Sequence, residues 1–280
     1  MPTVTPVPTS TPTYDQMISN LANAGKLAFV RQPSVFIVNA NGTMESKLTK
    51  DEVDGIAILW ESDPSWSPDG SRIVLTSNRE GSNPEKIFVM NSNGDASLQV
   101  TPQQPEGKSY LEWFPSWSPV GSEIVFIANR GDGCICVYRI NVDGSGLLQL
   151  TDKYSEYASW SPDGSMIVFN YGEMNSEIYL MNSDGSNKIQ ITDGEGTNSY
   201  ATWSSDGSKI AFQSWRNGNT DIYLMNQDGS DQMRLTSYPG EDQAPVWSPD
   251  GSMIAFSSNR DGDMDIFIMN SDGTINVTVI

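Results

Sequence analysis

The sequence predicts an all-β fold, a six-bladed β-propeller of four-stranded blades, from three observations. A Trp-Ser phrase recurs at Trp66, Trp117, Trp160, Trp203 and Trp247, with spacings of 51, 43, 43 and 44 residues. A period in the low forties marks an array of one supersecondary unit. Each phrase opens the same series of turn signals, Ser-Pro-Asp-Gly and then Asn-x-Asp-Gly. Between the turns, short runs alternate with period two and show no helical periodicity. Closing such units into a ring removes the ends that would expose unpaired edges.

In chain order, residues 1–13 (MPTVTPVPTSTPT) come first. Alternating Pro and Thr cannot pack a core and favours extended chain, so this stretch is a linker. Residues 14–25 are a lead-in to the first blade, expected as a short helical turn or an irregular strand. The propeller is expected over 26–280. Its first unit is read from Leu27–Val30, Val35–Val38, Asn39-Ala40-Asn41-Gly42 and Leu48-Thr49, but it lacks the Trp phrase, leaving its innermost strand unidentified. The later units run through strands such as Met253–Ser257 and Asp265–Met269, and Ile275–Ile280 supplies the last strand.

Ser-Pro-Asp-Gly suits a type I turn, with Ser first, Pro second and Gly fourth. A nucleophilic serine needs a base, and the chain holds no histidine. Ser67, Ser118, Ser161, Ser204 and Ser248 are equivalent, Val120 replaces Asp in one unit, and Ser205 replaces Pro in another. The phrase is therefore read as architecture, with its tryptophans packing between blades. Asn-x-Asp-Gly is read as a hairpin whose glycine supplies positive φ. Arg79, Arg130, Arg216 and Arg260 recur after the second strand and are expected to brace loops by pairing with acids that open the third, such as Asp221 and Asp265.

The phrases PVWSPDGSMIAFSSNRDGDMDIFIMNSDG (245–273) and ATWSSDGSKIAFQSWRNGNTDIYLMNQDG (201–229) resemble the TolB-type, WD40-like propeller repeat called PD40. The resemblance covers about residues 26–280. It implies the propeller fold and a binding module outside the cytoplasm (periplasmic, secreted or surface-anchored) in a bacterium. TolB itself carries an α/β domain before its propeller, and residues 1–25 are too short for one. The expectation of TolB's own partners is therefore not carried over.

Sixteen basic against thirty-five acidic residues leave a formal charge of −19. Such a balance disfavours nucleic acid and anionic membranes, which need clustered Lys and Arg. The lack of histidine removes Ser-His-Asp and Cys-His catalysis and the commonest transition-metal ligand. No run approaches the length of a membrane-spanning helix. Cys134 and Cys136, in GDGCICVY, are two thiols or a strained bridge.

Function is then expected where the units differ, at the inter-blade links 50–63, 102–114, 152–157, 193–200 and 237–244. The candidate ligand-binding rim at the channel mouth comprises Trp60, Glu61, Asp63, Glu112, Trp113, Glu156, Tyr157, Tyr200, Trp215, Tyr238 and Asp242. Aromatic faces beside carboxylates suit sugars, cationic groups or a basic peptide. The leading expectation is a non-catalytic module binding protein or carbohydrate. The alternative is a polysaccharide hydrolase or lyase using paired carboxylates such as Glu112 and Glu156. No cofactor is expected except a calcium ion on Asp261, Asp263 and Asp265, where alternate carboxylates could gather oxygen ligands; a solvated acidic loop is the other reading.

Overall fold

The computed structural model describes residues 25–279 except 32, 51, 54–55, 58–59, 80–84, 103–109, 132, 173–175, 195 and 275. The 1–13 linker and residues 14–24 of the lead-in lie outside the described residues.

Blade 1 contains β1 (Lys26–Arg31), β2 (Ser34–Asn39) and β3 (Ser46–Lys47). A small hairpin, β4 (Glu52–Val53) and β5 (Ile56–Ala57), lies in the link that follows. Blade 2 is β6 (Glu61–Trp66), β7 (Arg72–Ser77), β8 (Lys86–Asn91) and β9 (Leu98–Gln99). Blade 3 is β10 (Leu111–Trp117), β11 (Glu123–Asn129), β12 (Ile135–Asn141) and β13 (Leu148–Gln149). Blade 4 is β14 (Ser155–Trp160), β15 (Met166–Tyr171), β16 (Glu177–Asn182) and β17 (Ile189–Gln190). Blade 5 is β18 (Thr197–Trp203), β19 (Lys209–Trp215), β20 (Thr220–Asn226) and β21 (Met233–Arg234). Blade 6 is β22 (Asp242–Trp247), β23 (Met253–Ser258), β24 (Asp265–Asn270) and β25 (Asn276–Thr278).

Every blade is an antiparallel meander in chain order. The first strands of successive four-stranded blades, β6, β10, β14, β18 and β22, touch one another and so line the axis. Among the described residues, blade 1 has three strands and lacks this innermost one.

Blades stack face to face, so the second strand is covered on both sides. Period-two alternation disappears there: Ile124, Val125, Phe126, Ile127 and Ala128 are all fully buried. The same pressure places one large side chain at the fourth position of each second strand, and Phe126, Phe169, Phe212 and Phe256 are essentially inaccessible. Each such ring contributes roughly 2–3 kcal/mol by leaving water.

The tryptophans are the mortar between blades. Trp117 packs on Val74, Ile87 and Val89 of blade 2, and Trp203 on Val168, Ile178 and Leu180 of blade 4. Trp117 also donates its indole N–H to the Ser65 carbonyl at 3.1 Å.

Ser-Pro-Asp-Gly is a turn. Gly70 N–H donates to the Ser67 carbonyl at 2.9 Å, and Asp69 accepts from the Ser67 and Ser71 hydroxyls. These bonds hold the Asp69 carboxyl down at about 2. The glycine of Asn-x-Asp-Gly has a second duty besides positive φ. A Cβ at Gly144 would lie 2.9 Å from the Val100 carbonyl oxygen of the preceding blade, and one at Gly185 3.0 Å from that of Leu150. The pair Gly42 and Val279 closes the ring in the same way, at 2.7 Å.

The Leu-Thr end of the fourth strand is a backbone cap. The hydroxyls of Thr49, Thr151, Thr192 and Thr236 accept from the N–H groups of Val35, Val137, Ile178 and Ile222 at 2.9–3.0 Å. Cys134 and Cys136 form a disulfide with their Cα atoms 5.4 Å apart.

Candidate functional site

The innermost strands build the axis with one repeated irregularity. In each, the pairing slips between the residues four places and one place before the tryptophan that ends the strand. The residue three places before that tryptophan takes a left-handed conformation: Asp63 (φ 53°), Phe114 (50°), Tyr157 (50°), Tyr200 (54°) and Ala244 (51°). A bulge of this kind re-aims one side chain per strand. Here it turns those side chains inward, and aromatic rings from three blades meet. Phe114 and Tyr157 have centroids 4.3 Å apart, Tyr157 and Tyr200 3.6 Å, and Phe114 and Tyr200 6.1 Å.

Carboxylates adjoin this aromatic wall. One Asp63 carboxylate oxygen accepts from the Ser62 hydroxyl at 2.9 Å, the Thr76 hydroxyl at 3.2 Å and the Phe114 N–H at 3.3 Å. Burial nevertheless outweighs these bonds and raises its pKa above the ordinary aspartate range. Glu156 accepts from the Tyr154 hydroxyl at 2.5 Å. Burial, with the charges of Glu156 and Asp63 nearby, pushes the Tyr157 and Tyr200 phenols up. Both phenols therefore stay protonated and present neutral ring faces and O–H groups rather than bases.

The residue five places before the tryptophan of each innermost strand has a different fate. Glu61, Glu112 and Asp242 are fully buried. Arg79 pairs with Glu61, Arg130 with Glu112 at 2.6 Å and Arg260 with Asp242 at 2.9 Å; Lys86 also stands 3.7 Å from Glu112. In blade 5 the acid is replaced by Asn198, whose Oδ1 accepts from Arg216 at 2.9 Å. Each arginine also lies over aromatic rings of its own blade; Arg260, for example, is 5.1 Å from the Phe256 centroid and 4.6 Å from Phe267. These arginines therefore bolt the second and third strands to the innermost one. Their partners differ from the sequence expectation, since Asp221 is held by Arg234 at 2.6 Å and Asp265 pairs in the sheet with Ser258. The arginine arises just past the second strand, where the first strand, not the third, starts alongside.

The rim residues thus fall into three groups. Asp63, Glu156, Tyr157 and Tyr200 come together at the axis, with Trp113 half-buried behind Phe114. Glu61, Glu112 and Asp242 are locked in ion pairs, and Glu112 is inaccessible as one half of a catalytic carboxylate pair. Trp60, Trp215 and Tyr238 are exposed on separate parts of the rim, Tyr238 beneath the Arg260 guanidinium at 4.5 Å. Phe114, absent from the candidate residues above, belongs to the central cluster; its signal was its place three residues before the tryptophan of its innermost strand, shared with Asp63, Tyr157 and Tyr200.

Among the described residues, no three of His, Cys, Asp and Glu converge as a metal ion requires. Asp261 and Asp263 are exposed on their loop, and Asp265 opens β24. Among the described residues, no helix is long and apolar enough to cross a membrane.

Comparison with known proteins places this geometry. The family model described as "TolB beta propeller domain" matches residues 4–205 and 170–279. The structure of a protein provisionally assigned as TolB from Agrobacterium tumefaciens is 25% identical, with TM-score 0.71 over 85% of this chain and 84% of that one. TolB from Acinetobacter baumannii is 21% identical, with TM-score 0.73 over 91% and 63%. An oligogalacturonate lyase solved in complex with manganese shares the fold at 16% identity and TM-score 0.64, over 92% and 74%. A curated relative from Bacillus subtilis, the uncharacterized peptidase YuxL, is 35% identical over 72 residues, 26% of this chain; the match spans only 10% of its length.

Proposed function

The chain belongs to the TolB β-propeller domain family, and from that premise we propose that it is a non-catalytic, extracytoplasmic binding module for a protein segment carrying a cationic side chain. The observation that carries this reading is the aromatic wall of Phe114, Tyr157 and Tyr200 beside the Asp63 and Glu156 carboxylates. A lysine or arginine entering the channel mouth meets ring faces and negative charge together, the two components of cation–π and charge-assisted recognition. The formal charge of −19 extends the attraction beyond the contact surface. The Cys134–Cys136 disulfide and the Pro/Thr-rich linker support placement in an oxidising compartment.

Catalysis by paired carboxylates has less support. Glu112 is sealed between Arg130 and Lys86, and burial holds both axial tyrosines in the protonated form.

Titrating the protein with Lys- and Arg-containing peptides, followed by tryptophan fluorescence, tests the proposal. Binding is expected to weaken about tenfold or more in Glu156→Gln and to fall steeply with added salt. Salt-insensitive binding of neutral oligosaccharides at the same residues would identify a carbohydrate ligand instead. Polysaccharide turnover abolished by Glu156→Gln would overturn the non-catalytic reading.

A further inference from the structure

We propose that the junction between blades 4 and 5, on the face bearing the Ser-Pro-Asp-Gly turns, is a second binding site that takes an arginine side chain presented by a protein partner. That face is opposite the channel mouth, so the site stands whatever the mouth binds.

The four junctions between blades 2 and 6 share one plan on this face. In three of them the proline of one turn lies against the glycine of the next. A Cβ at Gly121 would meet Pro68 at 3.7 Å, one at Gly164 Pro119 at 3.7 Å and one at Gly207 Pro162 at 3.6 Å. The tryptophan of the later blade stands at each junction. The place beside it belongs to the residue six past the tryptophan of the earlier blade, which is Arg72, Glu123, Met166 or Lys209.

Three of these junctions carry a cation from the chain itself. The Arg72 guanidinium lies over Trp117, 4.8 Å from the ring centroid. Arg139 pairs with Glu123 at 3.2 Å and donates across to the Ser183 carbonyl of blade 4 at 3.2 Å. Lys209 donates to Asn226 Oδ1 at 2.6 Å. The junction of blades 4 and 5 has no such cation. Met166 stands where Arg72 does, and Leu180 holds the strand position of Arg139. Among the described residues, no Lys or Arg lines the cavity of about 330 Å³ found there.

The lining suits a cation from outside. Pro162, Met166 and Trp203 give it an apolar and aromatic wall, and Asp163, Asp206 and Gln227 a polar rim. Trp203 is 6% exposed, and its indole N–H has no hydrogen-bond partner among the described residues. A peptide carbonyl beside the arginine brings the acceptor that this wall lacks. The hydroxyls of Ser161 and Ser204, followed by the N–H groups of Ser165 and Ser208, hold Asp163 and Asp206 below the ordinary range, Asp206 at about 2. Both are therefore charged at neutral pH. Oδ2 of each accepts from one serine hydroxyl at 2.9 Å, which leaves acceptor capacity for an N–H donor. Asp69 and Asp184, whose own hydroxyl bonds also come first, feel in addition the charge of Arg72 and Arg139.

The geometry selects arginine over lysine. A planar guanidinium stacks on an indole face while its edge donates to carboxylates, whereas an ammonium is a compact, strongly hydrated charge. The aliphatic stem has Met166 and Pro162 to lie along. Arg72 over Trp117 is the chain's own example of the arrangement.

The test is a titration of the full chain with acetyl-Gly-Arg-Gly-amide, reading the Trp203 indole N–H by heteronuclear NMR. Its signal is identified by its loss in Trp203→Phe. The arginine peptide is expected to shift that signal saturably, and the citrulline counterpart, equal in shape but uncharged, to leave it in place. Asp206→Asn is expected to weaken the response about tenfold. Met166→Arg supplies the guanidinium from within, as Arg72 does at its own junction, and is expected to abolish the response in a folded protein. No shift of Trp203, an equal shift with the citrulline peptide, or an undiminished response in Asp206→Asn or Met166→Arg would each overturn the proposal.

Discussion

A single glycine tests how far the repeat is dictated by close approach. Gly185 (φ 86°) and Gly218 (φ 89°) have the same left-handed backbone, but Gly185 lies against Leu150 while Gly218 faces open space. Gly218→Ala is expected to cost about 1 kcal/mol in urea denaturation, the strain alone. Gly185→Ala is expected to cost about 2–3 kcal/mol, because the blade behind must also shift. Asp63 tests the axis. Its pKa is raised in the folded protein, so its contribution to stability is lost as pH rises from the ordinary aspartate value through the raised one. Asp63→Asn should therefore gain stability at neutral pH and flatten the fall in stability above the ordinary aspartate range. The turn aspartates act oppositely. Asp69 and Asp206 are lowered to about 2, so their contribution is present above the ordinary value and lost as pH falls towards 2. The turn was legible from residue preferences alone; the two opposite shifts were not, because they depend on which aspartate the bulge carries away from water.

At the scale of the element, the arginine bolt is the device to test. Asp242 is fully buried and Arg260 nearly so. Removing one member strands the other's charge, and Asp242→Ala is expected to cost about 3–5 kcal/mol. Adding Arg260→Met should recover much of that loss, since the orphaned charge goes and the aliphatic stem still covers Phe256 and Phe267. A double-mutant cycle by chemical denaturation reads both. The same substitutions should leave peptide binding at Glu156 nearly unchanged, separating the bolted acids from the axial ones. In the sequence, Glu61, Glu112 and Asp242 look equivalent to Asp63 and Glu156 as rim acids. Their separation follows from strand geometry: the residue five places before the tryptophan pairs with the arginine, while the bulge takes up Asp63, three places before it, and Tyr157, the neighbour of Glu156.

At the scale of the whole molecule, charge and closure dominate. Thirty-five acids against sixteen bases repel one another in the compact state. Raising NaCl from about 0.02 to 0.2 M should therefore raise the melting temperature by a few degrees, as differential scanning calorimetry would show. A decrease would mean that ion pairs such as Arg79–Glu61 outweigh the general repulsion.

The sequence by itself determined the number of blades, the strand order and the uniform face, because each rests on a local code: tryptophan spacing, turn residues and short apolar runs repeat with the unit. Only the tertiary structure decided which acids face solvent, which lie under an arginine and which meet aromatic rings from other blades. Those outcomes depend on side chains about forty residues apart converging on one axis, and on a one-residue bulge that no composition or spacing rule announces.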